Sequence, residues 1–424
     1  MPDVRDHAGH TAHAPLVPGT EESTHGRRAE ARPYDAVLFA SFGGPEGPDD
    51  VLPFLRNVTR GRGIPDERLV EVSHHYMAMG GRSPINEQNR AIIAALEARL
   101  AERGHADLPV YWGNRNWEPY TTDAVRTIHE DGHTAVLGLV TSAYSSYSSC
   151  RQYREDFGKA LVENDLLGSL AIDKVRVYFD HPGFLDPVVD GVRAAIDELA
   201  AEGHAPERVR VLFSTHSIPL AMTVASGPVE TRRPGSGGWY VDQHLAACRY
   251  VMGALGHETA PDAASGEADA AAGRPAWELV YQSRSGAPHI PWLEPDINDV
   301  IESLAADGAC DAVVVVPIGF VTDHVEVVWD LDTEAKESAA EHGLAFRRVA
   351  TAGSDPRFID ALVDLIEERL DPDAPRRGES GFGGTPDVCG RGCCASGSPH
   401  ARIAPTTSAL DSAEDIAAAA DAAS

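Results

Sequence analysis

The sequence has 424 residues, of which 43% are hydrophobic and 24% are charged, and its formal net charge is −29. Single hydrophobic cores stop growing near ~250–300 residues, so this length favours two lobes. Because so acidic a surface repels phosphate backbones, we expect no nucleic-acid partner. The sequence has neither a signal-peptide pattern nor an apolar run of membrane-spanning length, which predicts a cytoplasmic protein without a membrane span.

Apolar runs alternate with helical patterns along most of the chain. Residues 1–33 lack this periodicity and are predicted to be a disordered leader, with order beginning at Tyr34. Strands are predicted in DAVLFASFGG, ADLPVYWGNRNW, HTAVLGLVTSAY and KVRVYFDHPG, and, after a helix near 187–202, in RVRVLFSTHSIP, WELVYQSRSG and ACDAVVVVPIGFVTDH. This alternation predicts an α/β fold whose parallel sheets are covered by helices on both faces.

The same patterns give the domain limits. The predicted units are an N-terminal lobe at 34–186, a C-terminal lobe at 187–345 with a surface insertion at about 256–276, a C-terminal helix at 346–370, and a tail at 371–424. The tail is expected to be disordered apart from its cysteines.

One strand end carries a candidate catalytic histidine. The apolar run VLF stops at Ser214, Thr215 and His216, and ligands in open parallel sheets collect at the carboxyl ends of strands. His216 is therefore predicted to point into a cleft. A hydrogen-bonded loop histidine explains this segment alone equally well.

A second strand end is followed by acids. A nearly unbroken nine-residue apolar strand runs into Asp323 and His324, and then Glu326, Asp330 and Glu334 follow at i, i+4 and i+8. On a helix these three residues form one acidic row, which needs either open solvent or a cation. A solvated helix face is the alternative to a path for metal or protons.

Five ordered segments carry a family resemblance. SFGGP (41–45), GGRSPI (80–85), STHSIP (214–219), YQSR (281–284) and PIGFVTDHVEVVWDLD (317–332) resemble the ferrochelatases over about 34–370. The resemblance implies two Rossmann-like lobes around a porphyrin cleft, with the C-terminal helix packed on the first lobe. It also implies that His216 and Glu326 bracket the porphyrin metal site, as catalytic residues and metal ligands. Asp330 and Glu334 continue the acidic row and are predicted as further metal-binding residues.

The chemistry implied is insertion of ferrous iron, a substrate, into a free-base porphyrin whose two pyrrole N–H protons must leave. A neutral imidazole can ligate the metal or accept a proton, and a carboxylate can do the same. Sequence alone does not decide which residue takes the protons. A cleft that bends the macrocycle would expose its nitrogen lone pairs.

The segment MAMGGRSPINEQNR points to the substrate. In the family it forms the lip of the cleft, and here it is polar and partly basic, which suits four propionates better than a bilayer. We therefore expect coproporphyrin III as substrate and coproheme as product, with a coproheme decarboxylase as a candidate downstream partner and the protein as a monomer. Protoporphyrin IX is the alternative substrate.

The resemblance also suggests porphyrin contacts. Ser83 and Tyr153 match family residues that contact the tetrapyrrole, and Arg60 and Arg62 are candidates for the propionates unless they form a solvated helix end. Phe42 stands where some coproporphyrin-type members have a tyrosine metal ligand, so product binding must differ here. Other aromatic residues near the motifs are either ring contacts or ordinary core: Tyr144, Tyr147, Trp292 and Trp329.

The tail holds three cysteines, Cys389, Cys393 and Cys394, in a glycine-rich setting. An iron–sulfur cluster needs four thiolates, and Cys150 is the best internal candidate because Cys248 and Cys310 lie in apolar segments. Actinobacterial-type ferrochelatases carry a [2Fe–2S] cluster with this pattern of ligands. Zinc in the same site, or a metal-free redox-active tail, are the alternatives.

Two other functions compete with this interpretation. One is a chelatase that loads cobalt or nickel into another tetrapyrrole, against which the DHVEVVWD segment argues. The other is a haem or coproheme carrier or sensor without catalysis. The presence of both His216 and Glu326 favours catalysis, since a carrier needs only one good axial ligand.

Overall fold

Two parallel sheets of four strands each form the centre of the protein. The computed structural model describes residues 29–61, 63–232, 237–257, 265–286, 289–379, 385–397 and 406–409. The strands of the first sheet are β1 (Ala36–Ser41), β2 (Val110–Asn114), β3 (Ala135–Val140) and β4 (Ala171–Lys174). Those of the second are β5 (Val209–His216), β6 (Ala276–Gln282), β7 (Ala312–Val316) and β8 (Ala345–Arg348).

The two sheets repeat one strand order. It is β2-β1-β3-β4 in the first and β6-β5-β7-β8 in the second, and all pairs are parallel. Every residue of β1 and β7 is buried, as expected for central strands with helices on both faces. The predicted α/β class, with two lobes that each hold a parallel sheet flanked by helices, is therefore confirmed.

Helices connect the strands and cover both sheets. The α-helices are α1 (Val51–Val58), α2 (Asp66–Ala78), α3 (Ile85–Glu102), α4 (Thr121–Glu130), α5 (Gln152–Glu163), α6 (Pro182–Ala201), α7 (Leu220–Val224), α8 (Gly238–Ala254), α9 (Glu267–Ala271), α10 (Ile297–Ala306), α11 (Val325–Val328), α12 (Lys336–Glu341) and α13 (Pro356–Leu370). Short 3₁₀ turns lie at Pro48–Asp50, Pro206–Arg208 and Val229–Thr231, and π-helices at Tyr147–Arg151 and Trp329–Ala335.

Helix α6 carries the chain from the first sheet to the second. The predicted lobe limit between residues 186 and 187 falls inside it. Helix α13 packs against α6 and α3. It starts where sequence rules place a helix start, because Asp355 caps the Arg357 backbone N–H at 2.9 Å and Pro356 follows the cap.

Two predicted strands differ in the structure. The strand expected over KVRVYFDHPG, residues 174–183, was misplaced: β4 covers Ala171–Lys174 and shares only Lys174 with the prediction. After Lys174 the chain leaves the sheet, and the Arg176 guanidinium binds the buried carboxylate of Glu368. The nine-residue strand expected after Asp311 ends at Val316, since Pro317 has no N–H to donate to a neighbouring strand.

The ends of the described chain meet on the first lobe. Arg32 donates its backbone N–H to the Arg369 carbonyl at 3.1 Å, so the chain is already held before Tyr34. In the tail, Thr385 donates its hydroxyl to the Val177 carbonyl at 2.7 Å. Asp387 accepts from both Arg376, at 2.9 Å, and the Ala29 backbone, at 3.1 Å. The cysteine segment is therefore attached to the body, whereas leader residues 1–28 lie outside the described residues.

Two further predictions concern peripheral segments. Of the predicted insertion at about 256–276, residues 258–264 lie outside the described ranges, and the remainder includes α9, which packs against β6. Among the helices described, none combines the length and hydropathy needed to cross a membrane.

Candidate active site

His216 is the last residue of β5, a central strand of the second sheet. It lies at the carboxyl ends of the strands, at the point where the strand order reverses. Strand β5 pairs with β6 on one side and β7 on the other, so the connections leave the sheet in opposite directions there. This switch point opens a crevice at the carboxyl ends of the strands. The predicted strand-end position of His216 is thus met by the fold.

The hydrogen bonding of His216 fixes its tautomer. Its Nδ1 makes a short contact with the Ser217 carbonyl oxygen, which can only accept, so Nδ1 carries a proton. In the neutral ring Nε2 is then the free acceptor. Nε2 lies 3.9 Å from Oε2 of Glu326, and the two side chains are 34% and 46% exposed. The pair predicted from the motifs therefore faces one accessible space.

A buried polar layer supports His216 from behind. The Tyr240 hydroxyl donates to the His216 carbonyl oxygen at 2.8 Å, and Thr215 lies 2.9 Å from both the Tyr240 hydroxyl and His244 Nε2. Burial lowers the pKa of His244 to about 3, so this second histidine stays neutral. The Tyr144 ring stacks on it at 3.6 Å and is buried, which makes Tyr144 part of the core and not an open ring contact.

The loop after β7 brings Glu326 to His216. A Cβ at Gly319 would lie 2.0 Å from Thr215 Oγ1, so only glycine lets this loop cross the end of β5 so closely. The Asp323 backbone N–H donates to Gln88 of α3 at 2.9 Å, and Arg348 binds the Asp323 carboxylate. Glu326 is thus held between the two lobes at the start of α11.

The acidic row (Glu326, Asp330 and Glu334) starts on α11 and continues into the π-helix Trp329–Ala335. Asp330 is the most enclosed member: its Oδ2 accepts from Gln282 Nε2 at 3.2 Å and makes a short contact with Ser283 Oγ. Burial, reinforced by the neighbouring Glu326 and Glu334 carboxylates, raises the pKa of Asp330 from its ordinary 3.8 to about 7. Near neutral pH this carboxyl group can both take up and release a proton.

The outer end of the row is closed by aromatic side chains. Glu334 Oε1 accepts from Trp329 Nε1 at 2.7 Å, and the Trp329 ring stacks on His75 of α2 at 4.3 Å and 7°. Trp329, one of the aromatic residues singled out in the sequence, therefore joins the two lobes beside the acidic row.

The raised pKa of Asp330 predicts how stability changes with pH. In the folded protein the Asp330 carboxyl group keeps its proton up to about pH 7, whereas an aspartate in the unfolded chain releases its proton near pH 4. The stability due to Asp330 is present below that lower value and is lost as pH rises through 7. The melting temperature of Asp330→Asn, relative to the parent, should thus be higher at pH 8 than at pH 5. The exposed Asp49→Asn is the control, and an equal difference at both pH values would refute the prediction.

Sequence reasoning missed Tyr76 and assigned no role to His324, although both lie near the row. Burial raises the pKa of the Tyr76 phenol well above its ordinary value, and the Glu326 and Asp330 carboxylates nearby reinforce the shift. Burial lowers the pKa of His324, whose ring lies edge-on to Phe320 at 5.5 Å. Tyr76 comes just before GGRSPI, which was the available signal, and His324 stands inside the DHVE segment.

The four predicted cluster cysteines converge on one cavity, lined also by Ser145 and Lys174. The sulfurs of Cys393 and Cys394 are 3.8 Å apart. Cys150 is in hydrogen-bonding contact with Cys389 and Cys394, and Cys393 contacts the same two. The four thiols, here called the cysteine ring, therefore form a closed loop of contacts.

The thiols of the ring are not equivalent. The contacts from Cys389 and Cys394 lower the pKa of Cys150 well below its ordinary value, because both thiols can donate to its thiolate. The contact with Cys150 in turn raises the pKa of Cys389. All six cysteines are free of disulfides, and Cys248 and Cys310 are buried within hydrophobic clusters, as expected.

The ring contains one pair of sulfurs at the spacing of metal ligands. Over the described ranges, no group of three or more His, Cys, Asp or Glu side chains is arranged to hold a metal ion. Two thiolates on one tetrahedral metal at ~2.3 Å lie roughly 3.8 Å apart, the spacing seen between Cys393 and Cys394.

Comparison with known proteins decides the family. Residues 34–370, well over half of the chain, match the ferrochelatase family. The chain belongs to the ferrochelatase family. The matched range begins at β1 and ends with α13, so it contains both sheets, His216 and the acidic row.

Individual ferrochelatases are similar over nearly their full length. A protein from Leifsonia xyli named coproporphyrin III ferrochelatase is 55% identical over 85% of this chain and 91% of its own. One of the same name from Streptomyces griseus is 53% identical over 87% and 95%. Among solved structures, SirB from Bacillus subtilis with Fe³⁺ is 12% identical, covering 79% of this chain and 95% of its own, with a TM-score of 0.43.

The family-based porphyrin contacts differ in accessibility. Phe42 is 37% exposed and meets Phe54 edge-on at 6.3 Å, beside Tyr76. Ser83 is buried, and a Cβ added at Gly44 would lie 2.6 Å from the Ser83 Cβ. Tyr153 is also buried, under the Arg115 guanidinium at 4.2 Å. All three stay predictions as porphyrin contacts.

Arg60 and Arg62 are the two arginines predicted to bind propionates. The exposed Arg60 donates to Asn57 Oδ1 at 2.5 Å, next to the end of α1. Arg62 lies outside the described residues. Their role also stays a prediction.

Proposed function

We propose that this protein inserts Fe²⁺ into coproporphyrin III and releases coproheme. The observation that carries the proposal is the His216–Glu326 pair, 3.9 Å apart at the switch point of the second sheet, with the acidic row leading away from it. The proteins named coproporphyrin III ferrochelatase, at 48–55% identity over most of the chain, support the substrate. The polar lip around Arg82 is consistent with a substrate of four carboxylates.

The geometry suggests distinct roles for the pair. With its Nδ1 proton bonded to the Ser217 carbonyl, the His216 ring presents Nε2 as the acceptor for a pyrrole proton. Glu326 lies opposite and accepts the second proton, which Asp330, with a pKa of about 7, passes on toward Glu334. The balance is one Fe²⁺ bound by the macrocycle for two protons released. As the water ligands leave, the exposed carboxylate of Glu326 also offers the metal an oxygen.

An anaerobic assay with two porphyrins tests the proposal. Purified protein is incubated with Fe²⁺ and either coproporphyrin III or protoporphyrin IX, and loss of the free-base absorption bands is followed. We expect rapid metallation of coproporphyrin III. If neither porphyrin is metallated, the chain is a binder and not an enzyme, and if only protoporphyrin IX reacts, the proposed substrate is wrong.

We also propose that the cysteine ring holds a [2Fe–2S] cluster. Support comes from the four buried thiols closing on one another and from two buried cations beside them, Arg154 and Lys174. Cys150 from the body and three tail cysteines would each supply one thiolate. Such a cluster would provide a one-electron redox centre.

Loss of the internal ligand should abolish the cluster. Cys150→Ser leaves three thiolates, so the purified variant is expected to lose most of its iron, its sulfide and its visible absorption. Cys310→Ser, which changes a buried cysteine outside the ring, should retain all three signals. A Cys150→Ser protein with full iron and sulfide content would exclude this ligand. Zinc without sulfide in the parent protein would identify the alternative metal.

A further inference from the structure

Arg154 of α5 is a buried guanidinium without a carboxylate partner among its described contacts. Its exposed fraction is 0%, and its Nη2 reaches only the Cys393 carbonyl oxygen, at 3.4 Å. Within the described residues, Nε and Nη1 have no hydrogen-bond acceptor. An unpaired buried charge costs several kcal/mol, so a site that keeps one normally receives a compensating charge.

The compensating groups on hand are the cysteines. Burial by itself would lower the pKa of the Arg154 guanidinium. Negative charge on the four nearby cysteines raises it and so favours the charged form: Cys389, Cys150, Cys393 and Cys394. As thiols these groups are neutral and weak acceptors, whereas as metal-bound thiolates they are anionic. Arg154 therefore suits the loaded form of the cysteine ring better than the free thiols.

A second cation reaches the same cavity. Lys174, at the end of β4, is 3% exposed, donates from Nζ to the Val175 carbonyl at 2.7 Å, and lines the cavity with the cysteines. A cluster of two ferric ions, two sulfides and four thiolates formally carries a double negative charge, which reduction by one electron makes triple. The two buried cations thus oppose a charge that grows on reduction.

We infer that Arg154 is the residue that raises the reduction potential of the cluster, by holding a fixed positive charge against the cysteine ring. The inference rests on the proposed cluster. A nearby cation stabilises the more negative, reduced state more than the oxidised state, and low local dielectric makes this difference large. Lys174 contributes in the same direction from the β4 side of the cavity.

The test compares variants with and without the charge. Arg154→Met removes it and Arg154→Lys keeps it, and both are made in the full chain. The cluster's reduction potential is measured by anaerobic redox titration of its visible absorption, with iron and sulfide determined on the same samples. We expect a more negative potential for Arg154→Met and a value near the parent's for Arg154→Lys. Lys159→Met is the control, because it removes an exposed cation from the same helix, where Glu163 lies 3.5 Å away.

Each result either supports or overturns the inference. An Arg154→Met protein with a full cluster and the parent potential would overturn it. If Arg154→Met purifies without the cluster, a full cluster in Arg154→Lys supports the inference, because a positive charge at this position is then sufficient. Loss of the cluster in both variants overturns it, because the charge alone is then not what the site requires. A parent protein without iron and sulfide would instead remove the proposed cluster itself, so the two failures are distinguishable.

Discussion

Replacing His216 by alanine is expected to slow Fe²⁺ insertion by roughly 10²–10⁴-fold, the usual contribution of a positioned acid–base group. The variant removes the Nε2 acceptor that faces Glu326, while Tyr240 still donates to the backbone carbonyl of residue 216. Since the side chain is one-third exposed and at a strand end, the fold should persist. Initial rates with coproporphyrin III and the far-ultraviolet circular dichroism spectrum measure the two outcomes.

The matched control is His342→Ala, which removes an exposed histidine at the end of α12. It should retain the parent rate. A His216→Ala enzyme with a rate within a few-fold of the parent's would refute the assigned role. Glu326 alone would then have to accept the pyrrole protons. If the variant were inactive because it no longer folds, its circular dichroism spectrum would differ from the parent's.

The largest expected loss of stability comes from breaking the buried ion pair of Arg176 and Glu368. Both side chains are 1% exposed, and two hydrogen bonds of 2.8 Å join them. Arg176→Met leaves the Glu368 carboxylate buried with only Arg376, 3.8 Å away, as a cationic partner among the described ion pairs. The free energy of unfolding should therefore fall by roughly 3 kcal/mol, the lower end for a broken buried pair.

Denaturant titration measures this change, and an exposed pair provides the comparison. Arg347 lies 2.9 Å from Glu198, which is 63% exposed, so Arg347→Met should cost less than about 1 kcal/mol. Adding Glu368→Gln to Arg176→Met should recover part of the loss, because the unpaired charge is then gone. Equal losses for the buried and the exposed arginine variants would contradict the prediction.

The sequence was sufficient for the parts that depend on local pattern. Alternating apolar runs predicted both parallel sheets. His216 ends β5 and Glu326 lies in the segment that follows β7, and their side chains are 3.9 Å apart. Strand ends at a switch point must meet, so position along the chain nearly determined position in the cleft. The resemblance then selected these two residues from many other polar groups.

Properties that depend on distant segments could not be read in this way. The pKa of Asp330 reflects burial and bonds from Gln282 and Ser283, which belong to the end of β6. In RQYREDF, Arg154 looks like an ordinary cation on a helix, and only the returning tail makes it a buried neighbour of Cys393. The segment after Lys174 likewise reads as a strand in the sequence, but in the structure its Arg176 binds Glu368 on α13.

The division of the cysteine ring between body and tail sets an order of events during synthesis. Cys150 follows β3, whereas the other three ligands come after α13, the last described helix. At ~5–20 residues per second, tens of seconds separate translation of the first ligand from that of the other three. Both sheets can fold in that interval, so the proposed cluster would form on a chain whose lobes already exist. Translation therefore delivers the three tail cysteines only after every strand of both sheets has been made.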